Sequence, residues 1–257
     1  MFIGIKTMYL SLHLRVSYGK LKRNLKINWL DKLDKIPVAN YQLQGLKSWQ
    51  DIYHLIFLPI YKEDYSIVAS TMEGLLKTNY PKSKMVVAIC WEERGGKETE
   101  NVVHEIEKNY KNAFLDIVSI MHPANLTDEI PGKGSNTAYA AKIIKESIVD
   151  ARRIPYDHIL VSNFDVDTIV YPEYFGILTH TFLVTESPLR ASYQPIPLYV
   201  NNIWEAPSFA RVVAFAATFW HTVKQEKSET ATTFSSHSMS FQALVDVGFW
   251  QKNMVSE

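Results

Sequence analysis

The sequence predicts an α/β fold, an open and mainly parallel sheet with helices on both faces, and three observations predict it. Four short apolar runs, at 54–60, 84–91, 113–120 and 158–164, have the length of buried strands. The segments between them carry apolar residues at helical spacing. Polar clusters follow three of the four runs, at the carboxyl ends where open α/β sheets bind their ligands.

The first run, HLIFLPI, ends beside a proline and leads into Tyr61-Lys62-Glu63. A helix is expected over 64–78, where Val68, Met72, Leu75 and Leu76 share a face before Asn79-Tyr80-Pro81 stops it. KMVVAICW repeats the strand signal and runs into Glu92-Glu93-Arg94, and Val103, Ile106 and Tyr110 mark a second helix. AFLDIVSI is the third strand. A third helix is expected over 137–149 from Ala138, Ala141, Ile144 and Ile148, and HILVSNF then ends at Asp165-Val166-Asp167. Beyond that triplet the alternation weakens. Helices are expected over 172–185, over 209–223 and near 240–247, with 190–199 extended at a sheet edge because its two prolines cannot donate to a ladder.

At 257 residues and 47% apolar composition the chain can bury a full core. Its 27 basic and 27 acidic residues cancel, which gives no general argument for a nucleic-acid partner. The charge is segregated, however: residues 1–36 hold eight Lys/Arg against two Asp. A basic linker or surface helix is therefore expected over 1–50, with a main domain over 51–257 in two halves, a ligand-binding half over 51–170 and a second over 171–257. Residues 1–14 are mostly apolar and lead into the basic stretch, as where a spanning helix emerges on the cytoplasmic side, or as a helix packed on the domain surface. No apolar stretch reaches the roughly 18 residues that a span requires. The apolar 209–223 segment, interrupted by Arg211 and His221, reads as a buried or interfacial helix. Cys90, the single cysteine, excludes an internal disulfide and reads as a core residue.

Two aspartates one residue apart at a strand end can present carboxylate oxygens to one divalent cation. Such hard ligands suit Mg²⁺ or Mn²⁺ and leave positions open for phosphate oxygens. Asp165 and Asp167 are thus candidate metal ligands. Pro131-Gly132-Lys133-Gly134-Ser135 precedes a helix and could face an anion with its backbone N–H groups, but lacks the spacing of an ATP-binding P-loop. Glu63, Glu92 and Glu93 could contact a base or ribose. His237 stands without a second histidine or cysteine at zinc spacing, and no G-x-S-x-G elbow supports a serine hydrolase.

These residues together resemble the family 2 glycosyltransferases of the GT-A fold, especially their membrane-associated, cellulose-synthase-like branch, over roughly residues 54–257. LPIYKED resembles the first-strand motif, which implies that Pro59, Tyr61 and Glu63 line a nucleotide pocket. AICWEER is similar to the second strand end, with Glu92 or Glu93 where many members carry aspartate. PGKGSNTAYAAK resembles the Lys-Gly turn and implies Lys133 and Gly134 near the nucleotide, while FDVD matches the metal motif. FSSHSMSFQALVDVGFW resembles the acceptor-side segment that a Glu-Asp pair follows. Glu257 would be the first member of that pair, with the catalytic aspartate beyond the last residue and the chain a fragment. The resemblance implies transfer of a sugar from a nucleotide-diphosphate sugar, UDP by default, to a saccharide or lipid-linked hydroxyl. It further implies inversion, Mg²⁺ or Mn²⁺, a place on the cytoplasmic face of a membrane, and Gln194, Trp204 and His237 on the acceptor side. A non-catalytic nucleotide-sugar-binding module and a nucleotidyltransferase are the alternatives.

Overall fold

The computed structural model describes residues 2–200, 203–204, 206–225, 233 and 236–253. In chain order its main elements are α1 (Phe2–Asn24), α2 (Trp29–Asp34), β1 (Tyr53–Ile60), α3 (Tyr65–Leu76), β2 (Met85–Glu92), α4 (Gly96–Tyr110) and β3 (Asp116–His122). They continue with α5 (Lys133–Ile144), β4 (Ile159–Asn163), α6 (Tyr174–Val184), β5 (Ser192–Tyr193), α7 (Ser208–Lys224), β6 (His237–Ser240) and α8 (Phe241–Asp246).

The chain divides into two compact units. The larger, residues 28–193 and 234–257, holds one six-stranded sheet in the order β3-β2-β1-β4-β6-β5. β1 pairs in parallel with β2 and β4, and β2 in parallel with β3, whereas β6 runs antiparallel to β4 and β5. Strand alternation divides the core in two. Ile56, Leu58 and Ile60 of β1 pack with Val68 and Met72 of α3, Val103 and Ile106 of α4, and Phe175 of α6. Leu55 and Phe57 face the other way, into the cluster of Ala141 and Ile144 of α5 with Phe241 and Leu244 of α8. Helices on both faces explain why β1, β2 and β4 are buried along nearly every position.

The α/β architecture and mainly parallel sheet are those expected. Three details differ. The third strand begins at Asp116, not near 113, because Ala113 N–H caps the end of α4 by bonding Tyr110 O, and Leu115 N–H bonds Lys82 O and Met85 O. The third helix starts four residues earlier than expected, at Lys133, and continues through Lys145–Asp150 as wider π turns. The strand β6 was not expected at all. Its HSMS sequence has one large apolar side chain, and its place rests on the β4 ladder and a 2.7 Å hydroxyl contact between Ser162 and Ser238.

Residues 28–50, expected to join a basic linker, belong to the sheet unit, with Leu33, Leu43, Leu46 and Trp49 buried in its core. The second unit, residues 1–27 and 194–233, contains α1 and α7 packed on each other. The N-terminal helix runs unbroken through the basic stretch to Asn24. Among the described residues no helix is long and apolar enough to cross a membrane. Of the expected edge segment 190–199, Ser192–Tyr193 forms the edge strand, while Pro195 and Pro197 fall in the helical unit.

Candidate functional site

β1, β2 and β4 run parallel, so their carboxyl ends share one edge of the sheet, and a cavity of about 330 Å³ opens there. Pro59, Tyr61 and Glu63 line it from the end of β1, and Glu92 from the end of β2. Lys133 and Asn136 contribute from the first turn of α5, and Asp165, Val166 and Asp167 from the turn after β4. Four acidic residues and one lysine therefore line the same space.

Each wall is held by identifiable bonds. The Glu63 carboxylate folds back to accept from the N–H groups of Tyr61 and Lys62 at 2.7 and 3.1 Å, which fixes the turn leaving β1. Thr99 donates to Tyr61 O at 2.7 Å, and the Arg94 guanidinium lies 5.1 Å from the Tyr61 ring centre. The same Arg94 donates to Glu92 from Nε at 2.9 Å and also from a terminal nitrogen, which compensates the charge of a glutamate only 5% exposed. Asn136 donates to Cys90 O at 2.9 Å, tying the start of α5 to the end of β2, while its Oδ1 is buried without a partner.

The acidic triplet owes its geometry to its middle residue. Val166 is buried, and its carbonyl accepts from the Thr71 hydroxyl of α3 at 2.5 Å. Thr168 N–H closes a turn on Asp165 O at 2.9 Å, and Asp165 N–H donates to Ser236 Oγ at 3.2 Å. Burying the valine leaves the two aspartates on the cavity side. Lys133 Nζ lies 2.5 Å from Asp165 Oδ1. Gly134 has a separate reason to be glycine: a Cβ there would stand 2.6 Å from Gln251 O, inside van der Waals contact.

The structure thus brings together Pro59, Tyr61, Glu63, Glu92, Lys133, Asp165 and Asp167 around one cavity. Glu93 and Gly134 do not line it. Glu93 accepts from Ala124 N–H at 2.8 Å and anchors the loop after β3. His237 is the register partner of Asn163 on β6, beside the strand that delivers the triplet. Gln194 and Trp204 belong to the helical unit, where Gln194 O accepts from Gln225 at 3.3 Å and Trp204 lies beneath the Arg211 guanidinium. Glu257, and Phe234 and Ser235 of the acceptor-side motif, lie outside the described residues. Thr71, Ser236 and Asn136 were not singled out from the sequence as supports of the site. Thr71 stands in no quoted motif, and although Ser236 and Asn136 fall within two of them nothing local marks their roles, because the partners of the three are 95, 71 and 46 residues away.

Among the described residues no three His, Cys, Asp or Glu side chains converge as a complete metal cage. Two aspartates at the cavity are a partial set of hard oxygen donors. They fit an ion such as Mg²⁺ or Mn²⁺ that keeps water and takes its remaining oxygens from a bound phosphate.

The sequence matches no protein-family model and no curated protein. Among solved structures the chain is similar to the Pyrobaculum calidifontis mannosyltransferase PcManGT in complex with GDP-Man and Mn²⁺, at 10% identity and a TM-score of 0.49 over 95% of this chain and 61% of that one. It is also similar to S. aureus TarS 1–349, at 13% identity and a TM-score of 0.43 over 77% of this chain and 50% of that one. TarS 1–349 has been solved with UDP-GlcNAc as well. A third similar structure is mouse xyloside xylosyltransferase 1, at 14% identity and a TM-score of 0.33. This chain spans half to three-fifths of the length of the first two.

Proposed function

We propose that the protein is a GT-A-type glycosyltransferase that binds a nucleotide-diphosphate sugar through a divalent cation, Mg²⁺ or Mn²⁺, and transfers the sugar to an acceptor hydroxyl. The observation that carries this reading is the convergence of Asp165, Asp167 and Lys133 on one cavity at the carboxyl edge of a parallel sheet. With Glu92 compensated by Arg94, the carboxylates of Glu63, Asp165 and Asp167 still outnumber the one ammonium of Lys133, which disfavours a bare diphosphate unless positive charge is added. A bound cation would supply it and stabilise the departing diphosphate.

In this reading the chain's own residues position the donor. Asp165 and Asp167 hold the ion, and the Lys133 ammonium turns from Asp165 toward the phosphates. Pro59, Tyr61 and Glu63 form the wall for the nucleoside, with Glu92 near the base or ribose. Gly134 and the N–H groups opening α5 face the anion. UDP is the first nucleotide to test. The acceptor is a saccharide or lipid-linked hydroxyl that attacks in line with inversion, and His237, on the strand beside β4, is assigned to its side. The base is assigned to no described residue, with Glu257 proposed beside it. The site is placed at the cytoplasmic face of a membrane, and the nucleotide half at 51–170.

Calorimetric titration with UDP, with and without Mn²⁺, tests the reading. Binding that requires Mn²⁺ and disappears in Asp167→Ala is expected; no UDP binding by folded protein under any metal condition would sink it. Tight UDP-sugar binding with no release of UDP in the presence of saccharide or lipid-linked acceptors would favour the non-catalytic module.

A further inference from the structure

The helix α7 is built inside out. Phe209, Val212, Val213, Ala216 and Trp220 recur at the spacing of one helical stripe, and that stripe faces solvent: Phe209 is 78% exposed, Val212 67%, Val213 51% and Trp220 48%. The opposite side is the more polar one, and only at the end of the helix does the stripe turn inward, at the buried Val223. Thr222 is buried, Thr218 donates to Pro197 O at 3.0 Å, and Arg211 donates to Ala206 O and Trp204 O at 2.8 and 3.0 Å. Phe215 and Trp204 extend the exposed apolar surface, at 59% and 77%. A water-facing helix normally has the reverse arrangement, and a contiguous apolar face of this kind marks a contact with another apolar phase or partner.

Charge selects among the occupants. The unit that carries α7 holds nine Lys/Arg against three Asp/Glu, a net charge of +6, which leaves the sheet unit at −6 in a neutral chain. Neither α1 nor α7 contains an acidic residue, and α1 brings Arg15, Lys20, Lys22 and Arg23 to the helix packed against α7. A second copy of this unit would oppose positive charge with positive charge. An apolar aromatic stripe on a cationic unit fits an anionic lipid surface, with the stripe at the boundary of headgroups and acyl chains and the basic side chains among the headgroups.

We propose that the α1–α7 unit docks on an anionic bilayer surface through the Phe209–Val212–Val213–Ala216–Trp220 face of α7. The assignment is independent of any chemistry at the sheet edge.

The test uses the full chain and co-flotation with vesicles, either of phosphatidylcholine alone or with roughly one-third phosphatidylglycerol. Binding to the anionic vesicles that weakens with salt is expected. The double variant Phe209→Gln, Val213→Gln should bind roughly tenfold or more weakly while keeping its circular dichroism, since both side chains are exposed. A fluorescence blue shift with anionic vesicles that shrinks in Trp220→Phe would place the stripe in the lipid. Equal binding by wild type and the double variant would overturn the proposal, as would no flotation of folded protein. Salt-resistant self-association that the double variant abolishes, without vesicle binding, would assign the face to a second copy instead. UDP titration of the same samples reads the sheet-edge site separately, so either reading can fail alone.

Discussion

α3 and α7 are both apolar helices, and they solve opposite problems. α3 hides Val68, Met72 and Leu75 against the sheet, while α7 shows Phe209, Val212, Val213 and Trp220 to the outside. Composition alone does not separate them. What separates them is the medium each face meets: the sheet behind α3 supplies apolar partners, whereas the inward side of α7 is occupied by Thr218, Thr222 and Arg211 bonded to backbone carbonyls. The same contrast holds for charge, since the acid-rich sheet unit lines its cavity with Glu63, Glu92, Asp165 and Asp167, whereas the other unit carries a net positive charge.

Matched charge insertions break the contrast most directly. Met72 is fully buried, so Met72→Asp places a carboxylate where no partner exists and is expected to cost more than about 4 kcal/mol, enough to unfold the sheet unit. Val213→Asp on the exposed stripe is expected to change stability by less than about 0.5 kcal/mol. Urea denaturation followed by circular dichroism measures both; a Val213→Asp cost near that of Met72→Asp would mean the stripe is packed after all.

Much of the sheet unit was legible because its strands are apolar runs and its first helices carry regular stripes. Burial on both faces writes itself into sequence when the partners are the strands next door. The cavity was legible in part for the same reason: Asp165 and Asp167 stand immediately after an apolar run. β6 was not, since Ser238 and Ser240 are buried only because Ser162 and the β4 ladder satisfy them. Nor was the direction of α7. Periodicity shows that a stripe exists and says nothing of which side the rest of the unit occupies.

His54 sharpens the comparison from the polar side of the core. It is fully buried, bonds Thr179 at 2.9 Å through Nε2, leaves Nδ1 unpaired, and stacks edge-on against Tyr80. Burial pulls its pKa down from 6.5 to about 3. The folded state therefore refuses a proton that the unfolded chain accepts. The stability this represents is present above pH 6.5 and is lost progressively as the pH falls toward 3. Between pH 6.5 and pH 5 the loss is on the order of 2 kcal/mol. His54→Leu should flatten that part of the stability profile; an unchanged acid limb would show that other groups set it.

Lys133 tests the charge logic of the cavity with a smaller effect. Its ammonium now neutralises Asp165, so it competes with any cation for that carboxylate. Lys133→Met should raise affinity for Mn²⁺ alone by about tenfold at most and lower affinity for UDP with Mn²⁺ by about the same factor, since the residual positive charge facing the phosphates is gone. Opposite signs in the two titrations distinguish a lysine that faces the anion from one that only braces the turn, whose removal would weaken both.

The smallest effect concerns the hydroxyl that holds the triplet. Thr71 is fully buried on α3 and donates to the Val166 carbonyl, so the helix that packs the core also sets the height of the carboxylates. Thr71→Val keeps the shape, removes the donor and leaves that carbonyl unsatisfied, at an expected cost of about 1 kcal/mol in global stability. The loss should appear disproportionately in metal-dependent UDP affinity, because the turn that loses its tether carries Asp165 and Asp167. Equal stability loss with unaltered UDP binding would mean that Thr168 and Ser236, bonded to each other at 3.0 Å, suffice to hold the turn from the other side.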